Sequence, residues 1–168
     1  MSGYTRTTRE CPVSQLHPGL SQAIREYFQT YLLGDAETET RLCCETISER
    51  RDSGRLVSIL EGDGDTTSHL AILMTSDWLI WGLIGDRSGT IVTGAKLKVI
   101  RVKVLEAKQS KDMQLEVDGF VNNSKEYVRG ALELGPEAAA QRFCEKVEQA
   151  VLKENPPAKR KSLRWFGG

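Results

Sequence analysis

Apolar positions change period twice along the 168-residue chain. Between Gly19 and Leu33, Leu20, Ala23, Ile24, Tyr27, Phe28, Tyr31 and Leu32 recur at i, i+3/i+4 spacing. Gln22, Arg25, Glu26, Gln29 and Thr30 occupy the other side. That spacing predicts an amphipathic helix with a stripe to bury. Pro18 ahead of it and Gly34 behind it suit its two ends. Asp35 to Glu39 reads as an acidic turn or a short helical extension. From Arg41 the period shortens to two. "RLCCETISERR" predicts a strand, with Leu42, Cys44, Thr46 and Ser48 on one face and Cys43 and Ile47 on the other. "GRLVSILEG" suits a short helix or a strand, and "EGDGDTTS" is a loop.

The run from His69 to Ile84, "HLAILMTSDWLIWGLI", is the most apolar in the chain. Its sixteen residues fall short of the roughly 20 that a spanning helix needs, and Asp77 lies near its centre. Thr75, Ser76 and Asp77 are turn residues, so the run divides into two short strands. Both faces of each strand are apolar, which predicts a central hairpin covered on both sides. Trp78 and Ile80 share one face, Leu79 and Trp81 the other.

After the turn "GDRSG" comes a short strand, "TIVTG", then "AKLKVIRVKVLEAK". In the latter, Leu97 and Val99 keep one phase while Val102 and Val104 keep the opposite one. A period-2 strand cannot hold one face inward through such a switch. A bulge or sharp coil near Ile100, at the corner of a curved sheet, would permit it. "MQLEVDGFV" points Met113, Leu115 and Val117 inward, with room for a bulge at Gly119. "YVRGALEL" is a last strand. A helix then starts near Gly135-Pro136-Glu137, buries Ala140, Phe143, Cys144, Val147, Ala150 and Val151, and stops at Asn155-Pro156-Pro157. The order is helix, about seven strands on short turns, helix. It predicts an α+β, mainly β antiparallel meander with its last helix over one end or face. The domain spans residues 19–155, between a flexible segment 1–18 and a tail 156–168.

Composition narrows the function. Lys+Arg and Asp+Glu both total 23, so no whole-chain charge draws the protein to nucleic acid or anionic lipid. The four cysteines, Cys11, Cys43, Cys44 and Cys144, read as small hydrophobes of a reduced compartment. Cys43 and Cys44, adjacent on a strand, point to opposite faces and share neither a metal nor a simple disulfide. No CxxC occurs, and His17 and His69 are too few for a zinc site. The N-terminus lacks the apolar core of a secretory signal, so the expected compartment is the cytoplasm.

"AILMTSDWLIWG" is similar to the "LT…L" second-to-third-strand signature of pleckstrin-homology (PH) domains. "LGPEAAAQRFCEKVEQAV" is similar to the helix that follows their last strand. Over Arg41 to Lys153 the chain resembles the PH superfold in its bacterial PH-like, GRAM-like form. The resemblance implies a bent antiparallel seven-stranded barrel capped by the C-terminal helix, with the N-terminal amphipathic helix as an addition. It also implies a binding or scaffold module. Some such domains recognise phosphoinositides through basic residues around the first hairpin. Here that region offers Arg50, Arg51 and Arg55, interleaved with Glu49, Asp52, Glu61, Asp63 and Asp65.

Catalytic patterns are missing. "GTIVTGAK" spaces Gly89 and Gly94 like a P-loop but has Ala95 in place of the lysine and no following helix. Glu61, Asp63 and Asp65 lack the glycine and distal glutamate of a calcium loop. His17 sits beside the flexible end and His69 at a strand start, and no GxSxG occurs. Carboxylates are abundant, but only Asp77 lies in an apolar run. These readings point to a non-enzymatic module without a cofactor that binds a protein or peptide. The tail offers another anchor. Lys159, Arg160, Lys161 and Arg164 cluster beside Trp165 and Phe166, a set suited to a partner protein or an anionic membrane surface, and less to nucleic acid. A small-molecule-binding barrel is a further alternative.

Overall fold

A computed structural model of the chain describes residues 3–51 and 64–157. The ambiguous stretch "GRLVSILEG" and nearly all of the tail lie outside the described residues. Among those described, eight strands form two antiparallel sheets. The first sheet runs in chain order through β1 (Tyr4–Glu10), β2 (Leu42–Arg50), β3 (Thr67–Met74), β4 (Trp78–Gly85) and β5 (Gly89–Lys96). The second holds β6 (Ile100–Glu106), β7 (Met113–Phe120) and β8 (Tyr127–Leu134). Helices α1 (Pro18–Thr30) and α2 (Ala36–Glu39) lie between β1 and β2, and α3 (Ala138–Glu154) follows β8. The α+β, mainly β class holds. In place of one seven-stranded barrel there are two sheets that do not close.

The extra strand is β1, in the segment expected to be flexible. "YTRTTRE" carries no apolar alternation, because its inner face is Tyr4, Arg6 and Thr8. It is held by pairing with β2, from Tyr4 opposite Arg50 to Glu10 opposite Cys44. Two buried hydroxyls, Thr8 Oγ1 and Thr46 Oγ1, meet at 2.7 Å between the strands. Gly135 N–H also donates to Thr8 Oγ1 at 2.7 Å, which fastens the start of the last helix.

The phase switch near Ile100 is accommodated by a 3-10 turn, Leu97–Val99, rather than a bulge. This turn ends β5 and sends the chain into the second sheet. Leu97 and Ile100 are both buried, whereas Val99 is 40% exposed. The Leu97 N–H donates to Asp77 O at 2.8 Å, which anchors the corner to the β3–β4 turn. In that turn Thr75 Oγ1 accepts from Asp77 N (3.2 Å) and Trp78 N (3.0 Å), so the threonine hydroxyl shapes it.

The hairpin β3–β4 is covered on both faces, as its sequence required. On the inner face Leu70, Ile72, Met74 and Leu79 pack with Leu115, Val117, Phe143 and Val147 of the second sheet and α3. On the outer face Ala71, Leu73, Trp78 and Ile80 pack against Leu20, Ile24, Tyr27 and Phe28 of α1. Two glycines let α1 lie close to the sheet. A Cβ at Gly82 would meet Leu20 at 3.2 Å, and one at Gly94 would meet the Tyr27 hydroxyl at 2.7 Å. Helix α3 closes one end of the space between the sheets. Asn155 Nδ2 at its C-terminus donates to Leu97 O (2.7 Å) and Ile100 O (3.3 Å), tying it to the corner.

One residue of the expected helical stripe is turned out to water. Helix α1 ends at Thr30, and Leu32 is 89% exposed with φ 54°. Leu33 N–H donates to Phe28 O and Leu32 N–H to Gln29 O, the two bonds of a Schellman motif with Leu32 at its left-handed position. A leucine there accepts backbone strain without burying its side chain. Leu32→Gly is expected to stabilise the protein by about 0.5–1 kcal/mol, because relief of that strain exceeds the entropy that glycine adds to the unfolded chain. Urea denaturation of both proteins measures it, and a lower midpoint for the glycine variant contradicts this account of the helix end.

Candidate functional site

Two concave surfaces arise from the way a three-stranded sheet meets a five-stranded one. The first is a groove of about 810 Å³ between β6 and the last turns of α3. Among the described residues β6 pairs with β7 on one side only. The Ile100 carbonyl faces away from β7, since Asn155 reaches it. By strand alternation Val102 and Val104 present their N–H and C=O groups to that same side. Apolar surface is left open along the groove: Leu152 is 53% exposed and Tyr127 58%. Lys98 and Arg101 add positive charge, while Asp118 is engaged by the Tyr127 hydroxyl.

The second surface is a cleft of about 430 Å³ at the end of the sandwich opposite α3. Here the second sheet runs out, and the inner face of β4 and β5 is left partly uncovered. Trp81 and Leu70 form its floor, Leu132 of β8 faces them, and Ile91 is 66% exposed at its mouth. Ser48, Ser68 and Thr93 supply neutral hydroxyls. Arg6, also in the lining, is neutralised by Asp112 at 3.2 Å and by Glu133.

A polar cluster that the sequence pattern did not reveal lies on the outer face of the first sheet. The Glu45 side chain is only 2% exposed. Its carboxylate accepts from Arg9 (Nη2, 2.7 Å) and from His17 N (2.8 Å), and lies 3.3 Å from His69 Nδ1. Burial raises the pKa of this carboxyl, but the Arg9, His17 and His69 hydrogen bonds with the Arg9 charge outweigh it, and the net displacement is downward. His17 has a defined place: its Nδ1 accepts from Gly19 N–H at 3.1 Å and caps α1. His69 belongs to β3, the middle strand of its sheet, and its ring lies 4.7 Å from that of His17. The cluster joins β1, β2, β3 and the start of α1, and no nucleophile is among its hydrogen-bonded groups.

Of the basic residues considered for phosphate, Arg50 ends β2 opposite Tyr4, and the Arg51 side chain donates to Thr5 Oγ1 at 3.1 Å. Tyr4 and Thr5 are on opposite faces, so the two guanidinium groups do not converge. Arg55 lies outside the described residues, as do Lys159, Arg160, Lys161, Arg164, Trp165 and Phe166. Among the described residues, no three His, Cys, Asp or Glu side chains are placed to hold a metal ion. No described helix is long and apolar enough to cross a membrane. No family model, no curated protein and no solved structure matches the chain.

Because the folded Glu45 carboxyl titrates below its ordinary range, its contribution is fully present above an unfolded pKa of about 4.3. That contribution is lost as pH falls through the lower folded value. Glu45→Gln is expected to cost about 1–3 kcal/mol at pH 7, since a neutral amide cannot replace the charge-assisted bonds. The gap to the parent should narrow on acidification from pH 5 to 3. Denaturant unfolding at several pH values checks both, and a gap independent of pH contradicts the assignment.

Proposed function

We propose that β2–β8 with α3 form a PH-like core, and that the chain is a non-enzymatic binding or scaffold module for an extended segment of a protein partner. Seven antiparallel strands followed by one helix support that reading, with β1, α1 and α2 as additions. One observation carries the binding proposal: the groove beside β6, where an unpaired strand edge, open apolar side chains and positive charge lie together. The partner segment adds to the sheet along β6. Main-chain hydrogen bonds supply its affinity, and the gap between Leu152, Val99 and Tyr127 takes an apolar anchor. Lys98 and Arg101 favour acidic residues flanking that anchor.

A panel of extended nonapeptides with one Leu, Ile or Phe between Asp or Glu residues, titrated into the full chain by NMR, tests this. Shifts should gather on β6 and the last two turns of α3. Leu152→Asp should weaken binding at least tenfold with an unchanged melting temperature, since Leu152 is already half in water. Shifts confined to other surfaces, or equal binding by the variant, would overturn the assignment of the groove.

The open cleft favours a second reading, a small-molecule module for an apolar, uncharged ligand. Leu70, Trp81, Leu83, Ile91 and Leu132 give it apolar walls, its hydroxyls are neutral and its one arginine is already paired. The fluorescence of an uncharged naphthalene dye serves as the probe. Thr93→Trp, which fills the cleft, should abolish a dye signal that Leu152→Asp leaves intact. A signal unaffected by Thr93→Trp excludes the cleft as the site. The tail as a membrane anchor rests on its sequence alone. Co-sedimentation with anionic vesicles of the full chain against a chain ending at Asn155 separates it from both readings.

A further inference from the structure

Cys11 follows the last residue of β1, one step beyond the Glu10–Cys44 pair, and so stands across from Cys43 of β2. The Cys11 N–H donates to Cys43 O at 3.2 Å. Antiparallel residues paired through their backbone hold their Cα atoms about 5.5 Å apart, inside the roughly 4.4–6.8 Å that a disulfide bridges. The Cys43 thiol beside it draws the Cys11 thiol below its ordinary pKa, with the Arg9 charge adding to the effect against burial. The neighbouring Cys11 sulfur, together with burial, pushes the Cys43 thiol up. Both residues are half-buried and line one cleft of about 420 Å³ with Pro12, Thr40 and Arg41. Cys44 and Cys144 are fully buried instead, and burial pushes Cys144 up to about 11.

We infer that Cys11 and Cys43 form a thiol–disulfide exchange site at which a low-molecular-weight disulfide of the glutathione class oxidises the pair to a cross-strand bridge. The Cys11 thiolate attacks one sulfur of that disulfide, whose S–S bond breaks and releases one thiolate. Cys43 then loses its proton to solvent, and its sulfur attacks Cys11 in the mixed disulfide. The Cys11–Cys43 bond forms, and the second small thiolate leaves. Two protein thiols give up two electrons, and one small disulfide becomes two thiols. Its place beyond the end of β1 leaves Cys11 the more approachable of the two and makes it the attacking group, with the Arg9 charge favouring its thiolate. The bridge closes the loop that carries α1 and α2, fastening the outer helical layer to the sheet. This inference does not depend on which ligand the protein binds.

The test incubates the full chain with oxidised and reduced glutathione at several ratios, blocks free thiols, and maps tryptic peptides without reduction. Peptides 10–25 and 42–50 should be found linked, with fragmentation placing the bond at Cys11 and Cys43 rather than Cys44. The bridged protein should melt about 5–10 °C higher than the reduced one. In Cys43→Ser, one glutathione should remain trapped on Cys11. Both thiols recovered unbridged under excess oxidised glutathione would overturn the inference. So would a bond to Cys44 or Cys144, or glutathione on Cys43 with Cys11 free. The mapping of the parent chain needs no variant, so misfolding of Cys43→Ser leaves the test decisive.

Discussion

The β3–β4 hairpin is apolar on both faces, and most of the architecture answers that fact. A strand such as "HLAILM" has no side to show to water. A single sheet with one solvated face would leave Leu73, Trp78 and Ile80 exposed, or else Ile72 and Leu79. Burying an aliphatic or aromatic side chain of this kind contributes about 1.5–3 kcal/mol, so leaving either face wet forfeits several such terms. The chain covers each face with different material. Helix α1 lies on one, brought close by Gly82 and Gly94, and the second sheet with α3 lies on the other.

Covering the inner face requires the chain to leave the first sheet and return over it. The 3-10 turn at Leu97–Val99 makes that corner, and Asp77 and Asn155 hold it from two directions. Three returning strands cannot span five. The shortfall leaves one opening beyond the reach of β8, at Leu83 and Ile91, and β6 as an edge flanked by α3. Both candidate surfaces are thus consequences of the packing. The groove has the firmer walls, because α3 is fastened at both ends. Glu137 Oε2 accepts from Thr8 N–H at 3.0 Å at one end, and Asn155 binds the corner at the other. A wall held in place before binding loses little entropy on binding, which favours an extended ligand there.

Much of this was legible in the order of residues wherever burial and periodicity coincide. The two faces of Trp78–Trp81, the inward set Met113, Leu115 and Val117, and the α3 stripe from Ala140 to Val151 all carry their burial in their spacing. The break near Ile100 was visible as a change of phase, although the pattern could not tell a bulge from a 3-10 turn. β1 was invisible for a physical reason. Its inner face meets Thr46 through a hydroxyl pair, and its Arg6 is balanced by Asp112 and Glu133, partners more than a hundred positions away. Leu32 misled because the left-handed turn after Thr30 rotates it out of the helical stripe.

Glu45 marks the same limit at the level of a site. In "CCETIS" it reads as one more polar residue on a strand, yet it is buried because Arg9, His17 and His69 converge on it from three other elements. Only two of those are signalled locally, as the residue before Pro18 and the start of an apolar run. The convergence itself is tertiary. Cys11 and Cys43 have the same character: 32 positions separate them in the chain, and only the register of β1 on β2 makes them neighbours. That register is held by the Thr8–Thr46 contact and by Arg9 on Glu45, so the polar cluster and the thiol pair depend on one strand pairing. A change that slips β1 by one residue would turn Cys11 away from Cys43 and Arg9 away from Glu45 together. The strand that apolar periodicity could not reveal therefore positions both sets of groups.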